Sequence, residues 1–156
     1  MKSTIKLISS VLFIFILFNC KENPEAQELA NKLEKFEALK EQAMEVHDEV
    51  MPKMGELMEY SEKMQVRVND SSASNIYAET KSKLDGAHDG MMEWMRDYSS
   101  KFPYGDPLPN NLEDLNSKIT LLKEEVAEIK NLKQETNEVI ENSKKLLTDS
   151  SETRED

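Results

Sequence analysis

The sequence predicts an all-α fold: an elongated antiparallel three-helix bundle, or a coiled-coil-like hairpin with a third helix packed along it. Three observations carry this expectation. Apolar residues recur at intervals of three and four through most of the chain, which is the spacing of one helical face. Helix breakers are rare, with 4 glycines and 5 prolines in 156 residues. No stretch alternates apolar and polar residues for long enough to form a useful strand.

The elements follow in order. Met1 to Lys6 carries two lysines, and Leu7 to Phe18 is an uncharged apolar run of about a dozen residues, short of the roughly 18–20 needed to span a bilayer. This reads as a cleaved leader over residues 1–19. Cys20, the only cysteine, follows directly, where bacterial lipoprotein signal peptidase leaves an acylated cysteine. Residues 20–25 then form the lipidated cysteine and its tether, and no disulfide is available to brace the fold.

The helical domain is expected over 26–147. Its first helix places Leu29, Leu33, Phe36, Ala43, Val50, Met54, Leu57, Met64 and Val68 on one seam with a period near 3.5. Pro52 lacks a backbone donor and clashes with the preceding turn, which predicts a kink near 48–52 or two abutting helices. Asn69 to Ser74 is a cluster of turn and capping residues. A second helix beyond it carries Ile76, Tyr77, Leu84, Ala87, Met91, Trp94, Met95 and Tyr98. Phe102 to Asn111 contains three prolines and a glycine and must be loop. Its rings, with Trp94 and Tyr98, either cap the bundle or form an apolar end patch. The third helix opens near Asn111, with Glu113 and Asp114 at its positive end, and keeps its seam through Leu112, Leu115, Ile119, Leu122, Val126 and Ile129. Residues 148–156 are polar and read as a disordered tail.

The two histidines of the chain open the same pattern. His47-Asp48 and His88-Asp89 are each followed by methionines four and seven residues after the histidine, Met51 with Met54 and Met92 with Met95, so each set shares a helical face. An antiparallel hairpin turning near residues 69–71 would set His47 against Met92, Met51 against His88 and Met44 against Met95. Two imidazoles and two thioethers at one level suit Cu(I). The candidate metal site is therefore His47, Met51, His88 and Met92, with Met44, Met54 and Met95 as alternates. The competing reading is structural: methionine fills irregular helix contacts, above all beside a proline kink.

Composition narrows the function classes. With Lys2 and Lys6 removed in the leader, 18 of the 20 basic side chains remain against 31 acidic ones, a formal charge of −13. Such a surface repels nucleic acid and anionic headgroups, so membrane residence must come from the acyl anchor. No glycine-rich phosphate loop, nucleophile motif or paired-histidine zinc motif is present, and the chain reads as a non-enzyme. Partners are expected to be the membrane through the lipid, and a protein partner or a second copy.

The leader, the two motif segments His47 to Gly55 and Ala87 to Arg96, and the helical layout resemble small Bacteroidetes lipoproteins labelled "viral A-type inclusion protein". Cys20-Lys21-Glu22-Asn23-Pro24-Glu25 also resembles the lysine-plus-acidic signal that exports lipoproteins of that phylum to the cell surface. The resemblance implies an outer-membrane lipoprotein facing the periplasm or the exterior, with a helical fold. It implies no activity and no site.

Overall fold

A computed structural model describes residues 23–70 and 74–152. The leader, Cys20 and the residues up to 22 lie outside the described residues, as do 71–73 and 153–156. The described residues form four α-helices and one 3₁₀ turn: α1 (Pro24–Val50), the turn Met51–Lys53, α2 (Met54–Asp70), α3 (Ser74–Lys101) and α4 (Leu112–Glu152). Since α1 and α2 are one rod broken at a single turn, this is the expected all-α three-helix bundle. No helix among the described residues is long and apolar enough to cross a membrane.

Local chemistry sets the boundaries. Asn23 Oδ1 accepts from the Glu25 amide at 3.1 Å, and Pro24 occupies the first turn, where its missing N–H costs nothing. Helix α1 therefore begins inside the stretch expected to be tether. Pro52 cannot donate to the carbonyl four residues back. The chain tightens instead: the Met51 amide still bonds His47 O, while the Met54 amide bonds Met51 O. Asn111 Oδ1 takes the Asp114 amide at 2.8 Å and opens α4. That helix runs on to Glu152, so the part of the expected tail up to residue 152 is helical.

Facing side chains fix the packing. The α1/α2 rod and α3 are antiparallel, with Ser61 Oγ donating to Asp85 Oδ1 at 2.5 Å. By contrast α4 is parallel to α1. Lys32 reaches Asn116 at 2.6 Å, and Lys53–Asn137 and Glu49–Lys133 repeat the same offset of 84 residues. An offset that is a whole number of heptads brings equivalent positions of the two helices level. Helix α1 packs chiefly on α4, and α2 chiefly on α3. The rod changes its main partner at the Pro52 turn.

The expected seams are buried with few exceptions. Phe36, Ala43, Val50, Leu57, Met64, Leu84, Met91, Leu115, Leu122 and Ile129 form the core. Ile76 is the clear departure, half-exposed near the start of α3. Val46, Glu125 and Ser143 are buried without having been on the seams. Among the described residues the apolar core and its margin run from Leu29 to Leu147, so a chain beginning at Lys21 keeps all of it.

Two glycines inside α3 give a stability test. A Cβ on Gly86 would meet nothing within 4 Å, whereas one on Gly90 would lie 2.9 Å from Leu132 Cδ2. Gly90 lets α3 and α4 approach; Gly86 only weakens the helix. In the chain from residue 21, Gly86→Ala should stabilise by about 0.5–1 kcal/mol, and Gly90→Ala should show no such gain. Urea unfolding with helical circular dichroism measures both.

Candidate functional site

The centre of the bundle is aromatic. Trp94 is 2% exposed, and its indole N–H donates to Glu125 O on α4 at 3.2 Å. One neighbour is the His47 ring of α1, stacked with centroids 5.8 Å apart; another is Tyr98, at 4.9 Å. Tyr98 continues to Phe102 at 5.3 Å, and Phe102 to Phe36 of α1 at 6.1 Å. These rings cap and line the bundle rather than forming an end patch. Only Tyr104 stands wholly outside.

The sequence-predicted metal residues are distributed as follows. His47 faces Trp94, two residues beyond the Met92 expected opposite it. His88 lies six residues before Trp94 on α3, which at 1.5 Å per residue is about 9 Å along the helix from the level of His47. Met51 falls between the rungs His47–Trp94 and Ser61–Asp85 on its rod, and Met92 falls between the same rungs on α3, so these two residues belong to the same stretch of the bundle. Met54 is buried and Met95 partly so, while Met44, Met51 and Met92 are 40%, 36% and 50% exposed. The repeated His-Asp pair is a local contact made twice: Nδ1 lies 3.0 Å from Oδ1 in His47–Asp48 and 3.4 Å in His88–Asp89. Among the described residues, no three His, Cys, Asp or Glu side chains are grouped to hold a metal ion.

Sequence reasoning missed two features. The first is a stripe: Met44, Met51 and Met58 follow one another at intervals of seven along the rod, and all are exposed, Met58 by 55%. The spacing was legible; the outward orientation was not. The second is Glu125, 1% exposed, with Oε1 2.6 Å from Lys101 Nζ and Oε2 unpartnered among the described residues.

At the loop end lies a cleft of about 520 Å³. Phe36, Lys40 and Met44 form one wall, Tyr98 and Phe102 the other, and the loop from Pro103 to Pro109 closes it with Lys118. The loop is shaped by a turn in which the Asp106 amide bonds Pro103 O at 3.3 Å and Gly105 adopts φ +86°. That positive φ at the third turn position is what a type II turn requires, and glycine supplies it without strain.

Comparison with protein-family models, with curated proteins and with solved structures returns no match.

The Glu125 carboxylate shapes the titration of its neighbours. Its hydrogen bond to Lys101 raises that ammonium above its ordinary 10.5. Burial, with the Glu125 and Glu37 charges behind it, raises Tyr98 above 10.0. Both groups hold their protons more tightly folded than unfolded. The stability they contribute is whole below the unfolded values and is lost as pH rises through the folded ones. Stability should therefore fall above about pH 10, and Tyr98→Phe should flatten that fall. At neutral pH, Lys101→Met should cost on the order of 2–3 kcal/mol, because it strands a buried carboxylate, and Lys101→Met with Glu125→Leu should recover most of the loss. Denaturant titrations from pH 7 to about 11 test both.

Proposed function

We propose that this protein is a non-catalytic, lipid-anchored envelope protein that acts by helix-mediated contact with a partner or a second copy. The observation that supports contact is the methionine stripe. Apolar residues at heptad spacing on a helix are the seam on which another helix packs. Here Met44, Met51 and Met58 keep that spacing on the open side of the rod. Thioether side chains adapt to differently shaped partners. The anchor rests on Cys20, which stands three residues before the Asn23 cap. A lipid there would hold the loop end of the bundle toward the bilayer, because α1 and α4 begin at that end.

A photocrosslinking residue placed at position 51 of the full chain in its native cells tests this. A discrete adduct is expected, lost when Met44 and Met58 are both changed to Glu, and absent when the crosslinker is moved to exposed Glu113. No adduct above that background would sink the contact reading. Cys20→Ser should separately abolish acyl labelling and release the protein from membranes.

A second reading, Cu(I) binding, is favoured by one observation: Met51 and Met92 are both exposed and lie between the same two rungs of the α1/α2–α3 pairing. With His47 and His88 alongside, they offer donors of the type that monovalent copper takes. Because the histidines are about 9 Å apart in level, a site centred on Met51 and Met92 would recruit one imidazole at a time. In a competition titration with bicinchoninate, Met51→Leu with Met92→Leu should weaken Cu(I) binding at least tenfold, and replacement of the buried Met64 by Leu should not. Binding unchanged by the double substitution would remove this reading.

A further inference from the structure

We propose that the loop-end cleft binds an amphipathic carboxylate, a molecule with a flexible or aromatic apolar body and a single anionic head. This goes beyond the contact function, since it concerns a different surface and a small ligand.

Three features of the cleft lead there. Its size, about 520 Å³, lies within the range of small-molecule sites. Its walls are apolar and ready-made. Phe36 and Tyr98 are core residues whose small remaining exposed surface lines it, Phe102 is held between them by ring contacts, and the more exposed Met44 and Leu108 close the sides. An incoming apolar body would gain contact with rigid rings without displacing the helices.

The third feature is charge. In a chain of formal charge −11, the charged residues lining this cleft are Lys40, Lys118 and Asp106. Neither lysine is committed to a short hydrogen bond. Lys40 Nζ lies 3.7 Å from Glu37 and 5.5 Å from the centre of the Phe36 ring, and Lys118 Nζ lies 3.8 Å from Asp106. These separations exceed the 2.7–2.9 Å typical of a charge-assisted N–H···O bond. A carboxylate entering between them would form shorter bonds than either ammonium now makes. The acidic surface elsewhere would repel the same head, so the cleft is where an amphiphilic anion is both attracted and accommodated.

Trp94, the only tryptophan, is an internal reporter, because it stacks on the Tyr98 that lines the cleft. The probe is cis-parinaric acid, added to the chain from residue 21, with Trp94-sensitised emission as the signal and methyl parinarate as the neutral comparison. The acid should bind with saturable transfer and at least tenfold more tightly than the ester. Lys40→Gln with Lys118→Gln should weaken the acid about tenfold and leave the ester unchanged. Leu108→Asp should weaken both, and Ile76→Ser, at the far end of α3, neither. Equal affinity for acid and ester, or acid binding indifferent to the lysine pair and to Leu108→Asp, would overturn the proposal. So would an absence of saturable transfer from Trp94.

Discussion

The bundle depends on one residue at which all three of its helical legs meet. Trp94 sits on α3, donates its indole N–H to the α4 backbone at Glu125, and carries the His47 ring of α1 on its face. A buried indole N–H must find an acceptor or cost free energy. In this core, built from few polar groups, a helix carbonyl with a spare lone pair is a ready solution. That bond sets the height of α3 against α4, and the stacked imidazole sets the height of α1 against α3. With no disulfide available to fix register, these contacts and the repeated side-chain pairs between α1 and α4 fix it instead.

Beside this anchor stands a charged pair that opposes simple packing. Glu125 is buried with one carboxylate oxygen held by Lys101 and the other unpartnered among the described residues. Burying a carboxylate is costly, and a single lysine at the solvent edge offsets the cost only in part. The pair is better understood as a constraint on register than as a source of stability. Slipping α4 by one turn against α3 would remove Glu125 from Lys101 and leave the charge alone in an apolar interior. An apolar core residue would tolerate that slip far better.

The sequence carried the fold because its main determinants are periodic and local. The seams of all three helices, the proline break at Pro52, the Asn111 cap and the proline loop could each be read from residue type and spacing. What could not be read was register across the hairpin. A facing scheme built from the turn at residues 69–71 set Met92 over His47, and the ring found there is Trp94. That offset widens the separation of His88 from the level of His47 from four residues to six, about 6 Å to about 9 Å, because each copy of the motif is carried on a rigid helix. Helical periodicity did sort the methionines: Met54 and Met64 were on the seam and face the core, and Met44, Met51 and Met58 were off it and are exposed. It was the facing scheme of the hairpin that set Met44 and Met51 against α3. Glu125 escaped notice because a glutamate in an acidic helix gives no sign of which face it occupies.

The exposed methionines and the loop-end cleft share a physical origin in how the long rod divides its contacts. Helix α1 packs mainly on α4, and α2 mainly on α3; the handover comes at the Pro52 turn, where one backbone bond is lost and the chain tightens to a 3₁₀ turn. Along α1, the distance to α3 is therefore bridged by large rings, His47 to Trp94 and Phe36 to Phe102, and not by close backbone packing. Past the end of α3 the proline loop lies over these rings and, with Lys40 and Met44 of α1, makes the cleft. The Pro52 turn thus marks where the rod changes its main partner, and the exposed methionines lie on both sides of it.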